Sequence, residues 1–114
     1  RRKNWGWIDT NLFPELITPD WIEWVKMRGW MDDNDEIRDL AATIIMVSNV
    51  ELNQIDQAWF EGWMIEDDYD VVRYRLAVAL YKRGNRYPEI VETFEDACED
   101  PDVGPAAVKY KEAA

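Results

Sequence analysis

Histidine is absent from this 114-residue chain, and cysteine occurs once, at Cys98. Without histidine, the commonest general base, the usual metal ligand and the usual partner of a Ser or Cys nucleophile are all missing. A single cysteine excludes an internal disulfide framework and a cysteine-built zinc site. Cys98 has only acidic neighbours, which raise a thiol pKa, so it is expected to be an inert packing residue. Long apolar runs are lacking too: none approaches the ~20 residues that span a bilayer, and the basic opening "RRKNWGWIDT" has no apolar h-region. These absences predict a non-enzymatic, soluble, unsecreted chain with no cofactor and no metal, in a reducing compartment, the cytoplasm. The first residue is arginine, which fits a processed or excised piece of something longer.

What is present is carboxylate and apolar surface. Hydrophobic residues make up 47% of the chain, enough for one small domain to bury a core. The net charge of −11 is concentrated in the middle: Met31 to Val72 holds twelve acidic residues and one basic, whereas the flanking segments are close to neutral. Such a field repels nucleic acid and anionic lipid and attracts cationic surfaces. Arg73, Arg75, Lys82, Arg83 and Arg86 form a basic stretch, but arginines so spread around a helix complement neighbouring carboxylates more simply than a phosphate backbone.

Two phrases recur 35 residues apart, "MDDNDEIRDLAATII" from Met31 and "EDDYDVVRYRLAVAL" from Glu66. The shift pairs Asp32 with Asp67, Asp33 with Asp68, Asp35 with Asp70 and Arg38 with Arg73. In the first phrase Ile37, Leu40, Ala41, Ile44 and Ile45 follow helical periodicity, predicting a helix over 34–47 capped by Asp33 or Asn34. Leu52, Ile55, Trp59 and Trp63 predict a second helix over 52–65. Asp68 is placed to cap a third over 69–83, with Val72, Leu76, Ala79 and Leu80 inward and Gly84 closing it. Pro88 opens a fourth, with Ile90, Phe94 and Ala97 on one stripe. "TPDWIEWVKMRG" reads as a preceding helix capped by Thr18, and "DPDVGPAAVKYKEAA" as the opening helix of a further unit. A short helical turn fits between Asp9 and Leu16.

Helix pairs repeating every 20 to 50 residues are the signature of an α-solenoid. With its acidic turn, a β-branched residue directly before arginine ("DEIR", "DVVR") and alanines one turn later, the chain resembles a HEAT-type repeat over Met31 to Ala114. The resemblance implies an all-α, short right-handed α-solenoid of stacked antiparallel helix pairs, with about five main helices. Residues 1–30 would form an N-terminal cap with a half unit, 31–65 and 66–99 two repeats, and 100–114 a partial repeat. It also implies a structural ladder in which Arg38 and Arg73 pair with Asp33, Asp35, Asp68 and Asp70; Pro105 stands near where the last unit would carry its arginine. "LAVALYKRGNRYPEIVETFEDACEDPD" is similar to a tetratricopeptide repeat as well, given one extra residue in the turn. Both families bind other macromolecules.

The acidic clusters do not have the spacing of a helix-loop-helix calcium site, because Ile37 falls at a ligand position counted from Asp33 and at the glycine position counted from Asp32. Nor does the pair Asp56 and Glu61 mark a catalytic cleft. The reading is therefore a protein-interaction module whose acidic band, Asp32, Asp33, Asp35, Glu36, Asp67, Asp68 and Asp70, attracts a basic protein partner. Trp5, Trp7 and Trp30 are the candidate aromatic anchors. No direct contact with nucleic acid or membrane is expected. The alternatives are a nucleic-acid mimic that blocks a DNA- or RNA-binding protein, and a structural subunit of a larger complex.

Overall fold

Side-chain caps set two of the helix starts. The side chain of Asn34 accepts from the backbone N–H of Glu36, and that of Asn53 from Asp56, so each satisfies a donor that the first turn of a helix leaves free. The computed structural model describes residues 14–114. Among them a 3-10 turn, Pro14–Leu16, precedes six α-helices: α1 Asp20–Arg28, α2 Asp35–Val47, α3 Gln54–Glu66, α4 Asp70–Tyr81, α5 Pro88–Ala97 and α6 Gly104–Ala113. There is no strand among the described residues. The count is six rather than about five because the leading and trailing partial units both complete a helix; Pro105, in the first turn of α6, presets the backbone there.

The helix starts recur at the sequence period. α2 and α4 begin 35 residues apart, whereas α1 and α3, α3 and α5, and α4 and α6 each begin 34 apart. α4 is the centre: α2, α3 and α5 all pack on it, so Val72, Leu76, Ala77, Ala79 and Leu80 are wholly buried. Its alanines let neighbouring backbones approach closely, and its leucines fill the space between them. α1 extends the packing from α2, and α6 extends it from α5. Tyr74, Tyr81, Phe94 and Tyr110 join α4, α5 and α6 through edge-on and stacked rings 5.2 to 6.2 Å apart. Gly84 closes the α4 end with φ 93, a conformation that a side chain opposes.

Three local expectations are corrected. Thr18 makes no side-chain cap; its carbonyl, not its hydroxyl, accepts from Trp21, and Pro19 stands at the cap position. Asp68 does not cap α4; Asp67 accepts from the Tyr69 N–H in the turn before the helix, as Asp32 does from Asn34 before α2. Ile55 does not join the buried stripe of α3: it is 77% exposed, and the inward set is Phe60, Trp63 and Met64. α3 is apolar around most of its circumference, so periodicity alone left its rotation open and packing on α4 selected the ridge.

Candidate functional site

Because α2 and α4 pack on each other with equivalent starts, the acidic turn before each lies beside the other. Between them opens a cleft of about 730 Å³. One wall is Asp32, Asp33 and Asp35 with Asn34, the other Glu66, Asp67 and Asp68; Trp30 and Met31 form the apolar rim and Arg38 lies within.

Arg38 is already engaged. Its Nε donates to Asp67 Oδ2 at 2.9 Å, its Nη1 to the Asp32 carbonyl at 2.9 Å, and its Nη2 to Asp68 Oδ1 at 3.5 Å. Asp67, with a side chain 1% exposed, also receives the Trp63 indole N–H at 2.9 Å and the Tyr69 N–H at 2.9 Å. This buried carboxylate therefore neutralises the one cation of the cleft and satisfies two further donors. Asp33, Asp35, Glu66 and Asp68 remain exposed, and Asp32 lies 3.7 Å from Arg28. The rim keeps its negative field.

Glu36 and Asp70 do not line the cleft; Asp70 instead faces Arg73 at 3.3 Å. Trp5 and Trp7 lie outside the described residues. Arg38 and Arg73 do reach Asp68 and Asp70, but their shorter bonds go to Asp67 and to Asp96 of α5. Asp33 offers Arg38 its carbonyl, at 3.5 Å, rather than its carboxylate. Sequence reasoning missed Met31, which is 84% exposed at the rim; a lone methionine in a turn carries no periodic signal.

Trp30 is fixed from behind. Its ring meets Trp59 edge-on at 5.2 Å and lies over Gly62, where an added Cβ would sit 2.8 Å from it. Gly29 makes the reciprocal contact: a Cβ there would come within 2.6 Å of the fully buried Trp63. Two glycines thus allow two indoles to interlock, which holds Trp30 at the cleft without burying it.

The basic stretch is consumed internally. Arg73 pairs with Asp96 and Arg75 with the buried Asp39, Lys82 and Arg83 donate to carbonyls at the end of α2 and beyond, and Arg86 lies 3.8 Å over the Tyr81 ring. The Nε of Arg73 is buried without a hydrogen-bond partner.

Among the described residues no group of three or more carboxylate or thiol side chains is placed to hold a metal ion, and no helix there is long and apolar enough to cross a membrane. Of the two carboxylates weighed as an acid and base, Asp56 is bound to Lys26 at 2.8 Å, while Glu61 faces Glu89. Burial, then the Glu89 charge, raise the Glu61 pKa against an opposing hydrogen bond from Asn85. A carboxyl whose folded pKa is raised destabilises the fold where it is ionised, and the cost disappears as pH falls through that pKa. Glu61→Gln should therefore raise the melting temperature at pH 7, with the difference shrinking in acid; an equal difference at both pH values would refute this origin. Cys98 is half-buried, its Sγ 3.2 Å from the Phe94 carbonyl.

Comparison with models of known protein families, with curated proteins and with solved structures finds no match to this chain.

Proposed function

We propose that the chain is a non-enzymatic protein-interaction module, built as a short right-handed HEAT-type stack, whose acidic cleft binds a cationic segment of a partner protein. The observation that carries this reading is the convergence of two acidic turns on one open cleft whose single cation is already neutralised. Exposed carboxylates draw in a lysine- or arginine-rich segment, and Trp30 and Met31 supply apolar contact at the rim. The Arg38–Asp67 pair would tie the first unit to the second, and Arg73–Asp96 would brace the two helices of the second, while the exposed carboxylates of Asp33, Asp35 and Asp68 face the partner. The recurrence of helix starts at 34 or 35 residues supports the stack.

The test is fluorescence anisotropy with a labelled oligolysine peptide. Affinity should weaken as salt rises, and the triple change Asp33→Asn, Asp35→Asn, Asp68→Asn should lower it by about tenfold with no loss of thermal stability, since exposed ion pairs contribute ~0.2–1 kcal/mol each. Equal affinity of wild type and triple variant would sink the proposal. Displacement of a bound basic protein by duplex DNA would instead favour the nucleic-acid mimic.

A further inference from the structure

The outward face of α3 lacks what an exposed helix normally carries. Its outer side presents Ile55, which is 77% exposed, the exposed Ala58 and Ile65, which is 53% exposed, with Gly62 between them under the Trp30 ring. These positions follow steps of three and four, so they lie along one line of the helix. At the edges stand Glu61 and Glu66, and no lysine or arginine occurs anywhere between Arg38 and Arg73. A helix apolar on its inner and outer sides alike belongs between two packed surfaces, yet among the described residues only the inner side, with Phe60, Trp63 and Met64, is buried.

This outer line runs into the cleft. Trp30 lies across Gly62 in its middle, and Glu66, the last residue of α3, lines the cleft together with Trp30. Apolar ridge and acidic cleft are parts of one continuous surface.

We infer that this surface is a docking track for an amphipathic, basic α-helix of a partner protein. The inference rests on the reading of the cleft as a binding site and specifies the form of its ligand. Ile55 and Ile65 are ten residues apart, or about 15 Å along a helix, so a partner helix of about three turns matches the line. Its apolar residues would lie on Ile55, Ala58 and Ile65 and against the Trp30 edge, with its basic residues on Glu61, Glu66 and the carboxylates of the cleft. Charge selects this occupant. A second copy of the chain would set acid against acid, and an anionic bilayer would meet the same repulsion.

The experiment uses the full chain and two labelled peptides of about fourteen residues with identical leucine and lysine content. In one the leucines recur at steps of three and four; in the other their order is scrambled. The ordered peptide should bind at least about tenfold more tightly, gain helical circular dichroism on binding, and retain that advantage in high salt. Ile55→Ser with Ile65→Ser should abolish the advantage, and both side chains are exposed, so an unchanged melting temperature checks the fold. Equal binding of the two peptides, or an advantage untouched by the serine variant, overturns the track. The cleft reading would survive that result if both peptides still respond to Asp33→Asn with Asp68→Asn, and would fall separately if neither does. A concentration-dependent dimer that the serine variant disperses also overturns the inference, because the occupant is then a second copy.

Discussion

Replacing Asp67 with alanine is expected to remove about 3–5 kcal/mol of stability, the range for breaking a buried ion pair by deleting one partner. Three donors lose their acceptor at once: the Arg38 guanidinium, the Trp63 indole N–H and the Tyr69 N–H. Trp63 is fully buried, and the side chain of Arg38 is only 13% exposed, so water cannot replace the carboxylate freely. Against a typical total of about 5–15 kcal/mol, the loss would leave many molecules unfolded on mild heating. Urea denaturation of wild type, Asp67→Ala and Asp67→Asn measures it. Asparagine keeps an oxygen for one or two donors but not the charge, and should fall between the other two. Asp67→Ala also uncovers the Arg38 charge inside the cleft, so where the variant remains folded, in cold buffer, oligolysine should bind it more weakly. A midpoint for Asp67→Ala indistinguishable from wild type would show that Asp67 is not the hub its contacts describe.

Arg83→Ala should cost about 2–4 kcal/mol, by loss of several charged hydrogen bonds each worth ~1.5–3 kcal/mol but not additive. The guanidinium donates to the carbonyls of Val50 at 3.0 Å, Ser48 at 2.9 Å and Ala79 at 2.8 Å, with a longer contact to Ile45 at 3.4 Å. The chain between α2 and α3 has no ladder or helix to satisfy the Ser48 and Val50 carbonyls, and Arg83 takes that role from just past the end of α4. Burial lowers its pKa from the usual arginine value, but arginine stays charged at neutral pH. Lysine places a single ammonium where the planar fork spans several acceptors, so Arg83→Lys should recover less than half of the loss. Thermal melts, with hydrogen exchange read over residues 48–52, test both points. Unchanged exchange in Arg83→Ala would mean that the segment holds its shape without the fork.

The sequence alone carried most of the element boundaries. Asn34, one of the two caps the sequence offers, starts its helix because its side chain bonds an N–H of its own next turn, which requires no distant partner; Asn53 does the same for α3 but is not singled out by the sequence, as it falls inside the expected 52–65 span. The inward side of α4 is legible, because Val72, Leu76, Ala79 and Leu80 recur at helical spacing and all are wholly buried; that α4 lies at the centre comes from the packing of three helices on it. The recurrence of the acidic turns is likewise local: Asp32 and Asp67 each bond the N–H two residues on.

Only tertiary packing decided which carboxylate turns inward. Glu66, Asp67, Asp68 and Asp70 are chemically near-equivalent along the chain, yet Asp67 alone meets both Arg38, 29 residues earlier, and Trp63, one helical turn before. The rotation of α3 was undetermined for the same kind of reason, since a helix with apolar residues on several sides can bury more than one ridge. Local hydrogen bonds and periodicity thus determine where most helices lie and much of which side of each turns inward. Where several residues of like chemistry compete for one buried position, the difference between them is made by neighbours distant in sequence, and the assembled fold supplies it.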